Sequence, residues 1–457
     1  MHPKPFAAAA LIAGAALLST PAYAQSSDDI AALRRDMETL RQDYQSRITD
    51  LEARLAAAEA EAAAAHAATD ALQAANASTA DDPIQVAEQA PADIAPPAPV
   101  STNPNIYNPG ISVALNGFYT AARNETGEET IAGFARGDET GRPSRGFSAG
   151  ETELSFAANI DPFLAGFMAF SLGNEGEAEV EEAYIRTTAL PGGLTLKAGR
   201  FLSGIGYLNE RHAHDWSFSD APLPYRAFLG NQLGDVGLQA RWIAPTNQYL
   251  EFGAEALQGE GFPAAGSDNN GVGTYTLFAR TGSDINLSSS YLASISYLHS
   301  SAQDRDSNGD LFTGDTDLGI LSLVYKWAPG GNPLVRNLTL VGEYFHGTDD
   351  GAFNGAPFQQ AHDGWYAQGV YQFMPQWSVG LRYSALHSES VDGALLGSVL
   401  DDGGHDPFDI TALLEYDTSE FGRFRVQYAR DESSADPNDV LTLQYTVIYG
   451  PHGAHRY

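Results

Sequence analysis

Within "GYLNERHAHDW" stand Glu210, His212, His214 and Asp215. Two imidazoles separated by one residue can share a side of a loop. Together with Asp215 or Glu210 they would offer the nitrogen and oxygen donors that zinc takes. The same residues would equally serve as a polar constriction or as a hydrogen-bonded brace. A second stretch, "DRDSNGDLFTGD", sets Asp304, Asp306, Asn308, Gly309 and Asp310 at the spacing of a calcium-binding loop. Asp315 falls where such a loop carries its bidentate glutamate. Neither a serine elbow nor HExxH occurs, so the chain reads as a non-enzyme without a required cofactor, zinc and calcium being the candidate ions.

Which of these chemistries applies depends on the elements that hold the residues. Lys4, the apolar run Ala7 to Leu18 and "AYA" ending at Ala24 have the form of a signal peptide over 1–24. The exported chain has no cysteine, so disulfides cannot staple it. A formal net charge of -33 excludes nucleic acid as a partner. Over 26–78, Ile30, Leu33, Met37, Leu40, Tyr44, Ile48, Leu51 and Leu55 follow a heptad seam, which predicts a periplasmic α-helical coiled coil that self-associates. Residues 79–104 are rich in Ala and Pro and read as an extended linker.

From 105 to 457 the period changes to two. "WSVGLRYS" alternates Trp377, Val379, Leu381 and Tyr383 with Ser378, Gly380, Arg382 and Ser384. Such segments alternate between tight turns ("DPF", "LPGG", "MPQ", "SEFG") and longer polar stretches such as 125–146, 204–234, 304–315 and 350–363. Short connections on one end and long ones on the other are the pattern of a barrel in the outer membrane. The predicted fold is all-β: a 16-stranded antiparallel transmembrane β-barrel preceded by the coiled coil. Its outer face would meet outer-membrane lipid, and the aromatic terminus Tyr457 would serve recognition by the barrel-assembly machinery.

With the apolar face outward, the lumen receives Glu151, Glu153, Glu182, Arg186, Lys197, Arg241, Glu251, Glu255, Lys326, Glu343, Arg382 and Arg425, and reads as wet. Residues 204–234 become the third external loop. Arg211, His212, His214, Asp215, Asp220, Tyr225 and Arg226 are then the expected pore constriction. Arg200 has lipid-facing parity, which predicts either a bulge at Gly199 or a covering subunit.

"EEAYIRTTALPGGLTLKAGRF", Glu181 to Phe201, resembles the strand–turn–strand signature of the phosphate-selective porin O/P type. That resemblance implies a trimeric sixteen-stranded porin with a coiled coil ahead of it. "NPGISVALNGFY", "SGIGYLNERHAHDW" and "GPHGAH" are similar to proteobacterial chains labelled zinc-regulated TonB-dependent receptors. Such a receptor implies a globular plug and a 22-stranded barrel, whereas a helix and a linker stand in the plug's place here. The resulting expectation is a porin-like channel for small solutes, cation-preferring or neutral-preferring and homotrimeric. A zinc-linked uptake receptor and an envelope tether acting through the coiled coil are the alternatives.

Overall fold

A computed structural model describes residues 109–126, 130–135, 141–150, 152–173, 178–264, 271–391 and 393–450. The expected signal peptide, coiled coil and linker, with Glu151 and Tyr457, lie outside the described residues. The strands are β1 (Gly110–Ala122), β2 (Gly146–Ser148), β3 (Thr152–Asn159), β4 (Leu164–Leu172), β5 (Ala178–Thr187) and β6 (Leu194–Leu202). They continue with β7 (Gly234–Ile243), β8 (Tyr249–Leu257), β9 (Thr274–Asn286), β10 (Ser289–Ser307), β11 (Asp310–Trp327) and β12 (Asn337–Phe353). The last are β13 (Ala356–Met374), β14 (Trp377–Ser388), β15 (Phe408–Ser419), β16 (Gly422–Glu432) and β17 (Asn438–Tyr449).

All belong to one antiparallel sheet that closes, because β1 pairs β17 on one edge and β3 on the other. β2 continues β3 along the same edge of β1, with Phe118 opposite Ser148 and Ala114 opposite Glu153. The two pieces are one interrupted stave, and the ring has sixteen. Closure leaves no unpaired edge, which a sheet in hydrocarbon cannot tolerate.

The outward face explains where the ring sits. Ile111, Leu115, Ile185, Leu196, Leu238, Leu277, Ile295, Leu321, Leu323, Leu381, Val426 and Leu443 are all exposed, and together they run round the barrel. An apolar belt of that extent is incompatible with water and is the surface of a membrane-spanning barrel. Aromatic pairs flank it towards the short-turn end: Trp242 with Phe252 at 5.9 Å and Trp377 with Tyr416 at 4.8 Å.

Two of the expected external loops are strand instead. β10 and β11 run on to Asn308–Gly309, and β12 and β13 run on to Asn354–Gly355. Both Asn–Gly pairs have positive φ (59° and 89°, then 50° and 77°), as a two-residue hairpin turn requires. The ribbons rise past the belt, where Phe312, Phe353 and Phe358 pack with Ala302, Ala135 and Leu400 in a small separate core.

Candidate functional site: the loop inside the barrel

Residues 203–233 connect β6 to β7 and turn inward. Their one α-helix, α1 (Leu223–Leu229), starts at Pro222–Leu223–Pro224, where fixed φ favours a first turn, and stops at Gly230 with φ 59°. Every residue of α1 is buried. Leu223, Tyr225, Phe228 and Leu229 join Leu298, Leu318, Ile320, Val341, Phe345, Tyr366 and Leu386 in one apolar cluster. Those wall residues share faces with inward Ser322 and Glu343. The lumen is therefore not uniformly wet as expected, since the wall from β10 to β14 carries an apolar stripe that seats the loop. Phe228 stacks on Phe345 at 5.7 Å, and Tyr225 meets the same ring edge-on at 5.2 Å.

Polar contacts hold the loop all round the bore. Glu343 accepts hydrogen bonds from the Tyr225 hydroxyl and the Tyr207 amide, each at 2.8 Å, and from Tyr366 and Ser322. Glu210 pairs with Arg241, and with Arg280 at 2.7 Å. Burial works to raise the Glu210 carboxyl, but Arg241, then Arg280 and Lys197, hold it well below the usual carboxylate range. Lys197 itself lies over the Tyr184 ring at 4.5 Å. Arg211 lies over Tyr207 at 4.4 Å, and its carbonyl accepts from Trp216 Nε1 and Gln232 Nε2.

Farther along the loop, six charges alternate. Asp220 accepts from Arg382 Nη2 at 2.9 Å and from Arg142 Nε at 2.8 Å. Arg142 also reaches Asp409 at 2.8 Å and Asp431, and Arg226 reaches Asp431 at 3.3 Å. Three guanidinium groups thus neutralise three carboxylates drawn from two loops and three strands. Burial works to raise the Asp220 carboxyl, and Arg382 followed by Arg142 holds it far below the ordinary range. Next to this set, Arg425 pairs with Glu415 at 2.7 Å and donates to the Trp216 carbonyl at 3.0 Å. Arg423 donates to the His214 carbonyl.

His212 and His214 point towards β3 and β5. His212 Nδ1 lies 3.0 Å from Glu153 Oε2 and 3.1 Å from Glu181 Oε2, while its Nε2 lies 3.0 Å from Glu182 Oε2. His214 Nδ1 lies 3.2 Å from the same Glu153 oxygen. Two adjacent glutamates reach one ring because β5 is bulged: Ala169 pairs with Glu182 and Phe170 with Val180, so Glu181 has no partner on β4. A bulge breaks strict alternation and re-aims a side chain. Of the two partners expected in sequence, Glu210 stands elsewhere on its arginines, while Asp215 Oδ1 lies 3.8 Å from His214 Nε2, the ring nitrogen turned away from Glu153.

Of the expected lumen residues, Glu153, Glu182, Lys197, Arg241, Glu251, Glu255, Glu343, Arg382 and Arg425 take part in the contacts above or their neighbours. Arg186 shares the face of Glu182 and pairs in register with Lys197, and Lys326 shares the face of Ser322. Arg142, Glu181, Arg280, Asp409, Asp431 and Arg423 were missed. Strand parity could have found Arg280, Asp409, Arg423 and Asp431, whereas Arg142 sits on a loop that carries no periodic signal.

The calcium-loop residues do not converge. The segment is a hairpin in which Ser307 faces Asp310 and Arg305 faces Phe312. Asp304 meets Thr313, Asp306 accepts from the Gly309 amide, Asp310 accepts from Asn354 and Val399, and Asp315 accepts from Ser301. Asn308 is the turn residue itself.

Arg200 lies opposite outward Val236, and no register shift interrupts β6 against β7, so the bulge expected at Gly199 is not there. Gly199 serves a different need: its φ is 131°, and a Cβ would fall 2.2 Å from the Ala183 carbonyl oxygen.

No family model matches the chain. Solved structures of similar outline include the loop L8 deletion mutant of OmpT from Vibrio cholerae (TM-score 0.49, 11% identity, 75% of this chain and 99% of that one). The outer membrane channel DcaP of Acinetobacter baumannii is another (TM-score 0.49, 12% identity, 75% and 97%). An uncharacterized protein of Aquifex aeolicus is 30% identical over 340 residues, which span 68% of this chain and 70% of that protein. The chain belongs to the family of that Aquifex protein.

Proposed function

We propose that this protein is an outer-membrane channel through which small solutes diffuse passively, narrowed by residues 203–233. The observation that carries the reading is the inward loop itself, anchored by charged groups on opposite arcs of a closed, lipid-facing ring. In this reading Arg211, His212, His214, Asp215, Asp220, Tyr225 and Arg226 belong to the constriction, the loop narrowing the bore while these side chains tie it to the wall. A net charge of -33 favours cations or neutral solutes over anions. Uptake by diffusion needs no reacting group, which suits a chain without a catalytic motif.

A homotrimer completes the proposal. Arg200 faces outward by its parity in β6, two residues short of the strand's loop end, where lipid contact costs up to about 1 kcal/mol near the interface and more with depth, and a neighbouring subunit would cover it. Liposome swelling tests the transport claim. Vesicles holding the purified protein should swell in a small neutral sugar faster than empty vesicles, and swelling no faster than theirs would refute diffusion.

A further inference from the structure

We infer that Glu153, Glu181, His212 and His214 form a binding site for a divalent transition-metal ion of the zinc type, tying the loop to the barrel wall. This inference needs only the loop's position and does not depend on conduction.

One ligand atom each from Glu153, Glu181 and His212 lies within 4.8 Å of the others. His214 Nδ1, 3.2 Å from Glu153 Oε2, stands beside that group as the next donor and would complete it by a small shift of its ring. Zinc bonds of about 2.0–2.1 Å in a tetrahedron set neighbouring ligands roughly 3.3 Å apart. The separations of 3.0, 3.1 and 3.2 Å round Glu153 Oε2 and His212 Nδ1 are close to that edge.

Three features favour a metal over a purely ionic cluster. First, His212 Nδ1 can carry one hydrogen, yet two carboxylate oxygens face it at 3.0 and 3.1 Å. Second, the other ring nitrogen already has its partner in Glu182 at 3.0 Å. A carboxylate on the far nitrogen is the usual support of a metal-bound histidine, because it fixes the tautomer and raises the ring's basicity. Third, the site brings three carboxylates together with two imidazoles. With both rings neutral, a divalent cation offsets most of the charge. Mixed imidazole and carboxylate donors select zinc, copper or nickel rather than the all-oxygen company of calcium or magnesium.

The site joins three elements that are distant in sequence: β3, the bulge of β5, and the loop. An ion there would clasp the loop at the point where it crosses from the Glu210 pairs to the Asp220 charges.

The test is a titration of the full-length, untagged protein in detergent with cobalt chloride, read by the visible bands of tetrahedral Co2+ and displaced by zinc chloride. One equivalent should bind and give those bands. E153Q/E181Q and H212A/H214A should each weaken binding by more than about 100-fold, beyond the 10–100-fold typical of outer supporting residues. Glu182→Gln should fall within that lesser range while keeping the spectrum. Retention of the barrel's far-UV spectrum shows that each variant has folded. Wild-type protein without saturable binding, or ligand variants that bind as it does, would overturn the inference.

Discussion

Asp220 has Arg382 on one oxygen and Arg142 on the other, all three buried. Taking one member from a buried charge set strands the others and costs about 3–5 kcal/mol. Asp220→Ala is expected to release the loop, which trypsin would report by cutting at Arg211 or Arg226 in the folded barrel. A loop that stays resistant would mean that apolar packing alone seats it. The acid response has a definite sign. The folded-state pKa of Asp220 is depressed, so its contribution is fully present above the unfolded value of about 3.9 and is lost as pH falls through the lower folded value. Protection of the loop amides against hydrogen exchange, taken relative to the intrinsic rate at each pH, should therefore be unchanged from neutral pH to about 4. Release of the loop at pH 5 to 6 would point to a different group. At this scale the sequence was half legible. Asp220 and Arg226 could be chosen because one loop held them, but Arg142, which meets Asp220, sits on a loop without a period, and Asp431, which meets Arg226, lies 205 residues away.

Among the elements, the strands were the most legible, because lipid outside and loop inside impose period two on every stave. The hairpin tips were less so. "SNGD" and "FNGA" each contain the Asn–Gly pair that closes a two-residue turn, but in the first the regularly spaced aspartates suggest an ion-binding loop. Gly309, at φ 89°, has open space where a Cβ would go. Gly309→Val should cost about 1–2 kcal/mol through the left-handed backbone alone, seen as faster amide exchange over 304–313. Gly199→Ala should be far worse, failing to give folded barrel, since backbone stands in its way. The bulge in β5 was invisible beforehand, because alternation predicts that only one of Glu181 and Glu182 faces the bore. For β6, Arg200→Leu separates two outcomes. If a subunit covers this wall, light scattering should show a shift from trimer towards monomer; an unchanged trimer would place the interface elsewhere.

For the whole molecule, closure was predictable from alternating connection lengths and the loop was expected to narrow the bore, whereas the apolar packing that seats it was not. Loop residues 203–233 have no period, so their apolar members looked like incidental loop residues until α1 met the stripe on β10 to β14. The arrangement argues for a narrow passage with fixed charges on its wall, in a protein whose acids outnumber its bases by 33. Single-channel recording in a planar bilayer under a KCl gradient tests that directly. The account predicts small, steady conductance with a reversal potential of the sign given by K+ permeating faster than Cl-. A silent bilayer with correctly folded protein inserted, or a reversal potential of the opposite sign, would contradict it.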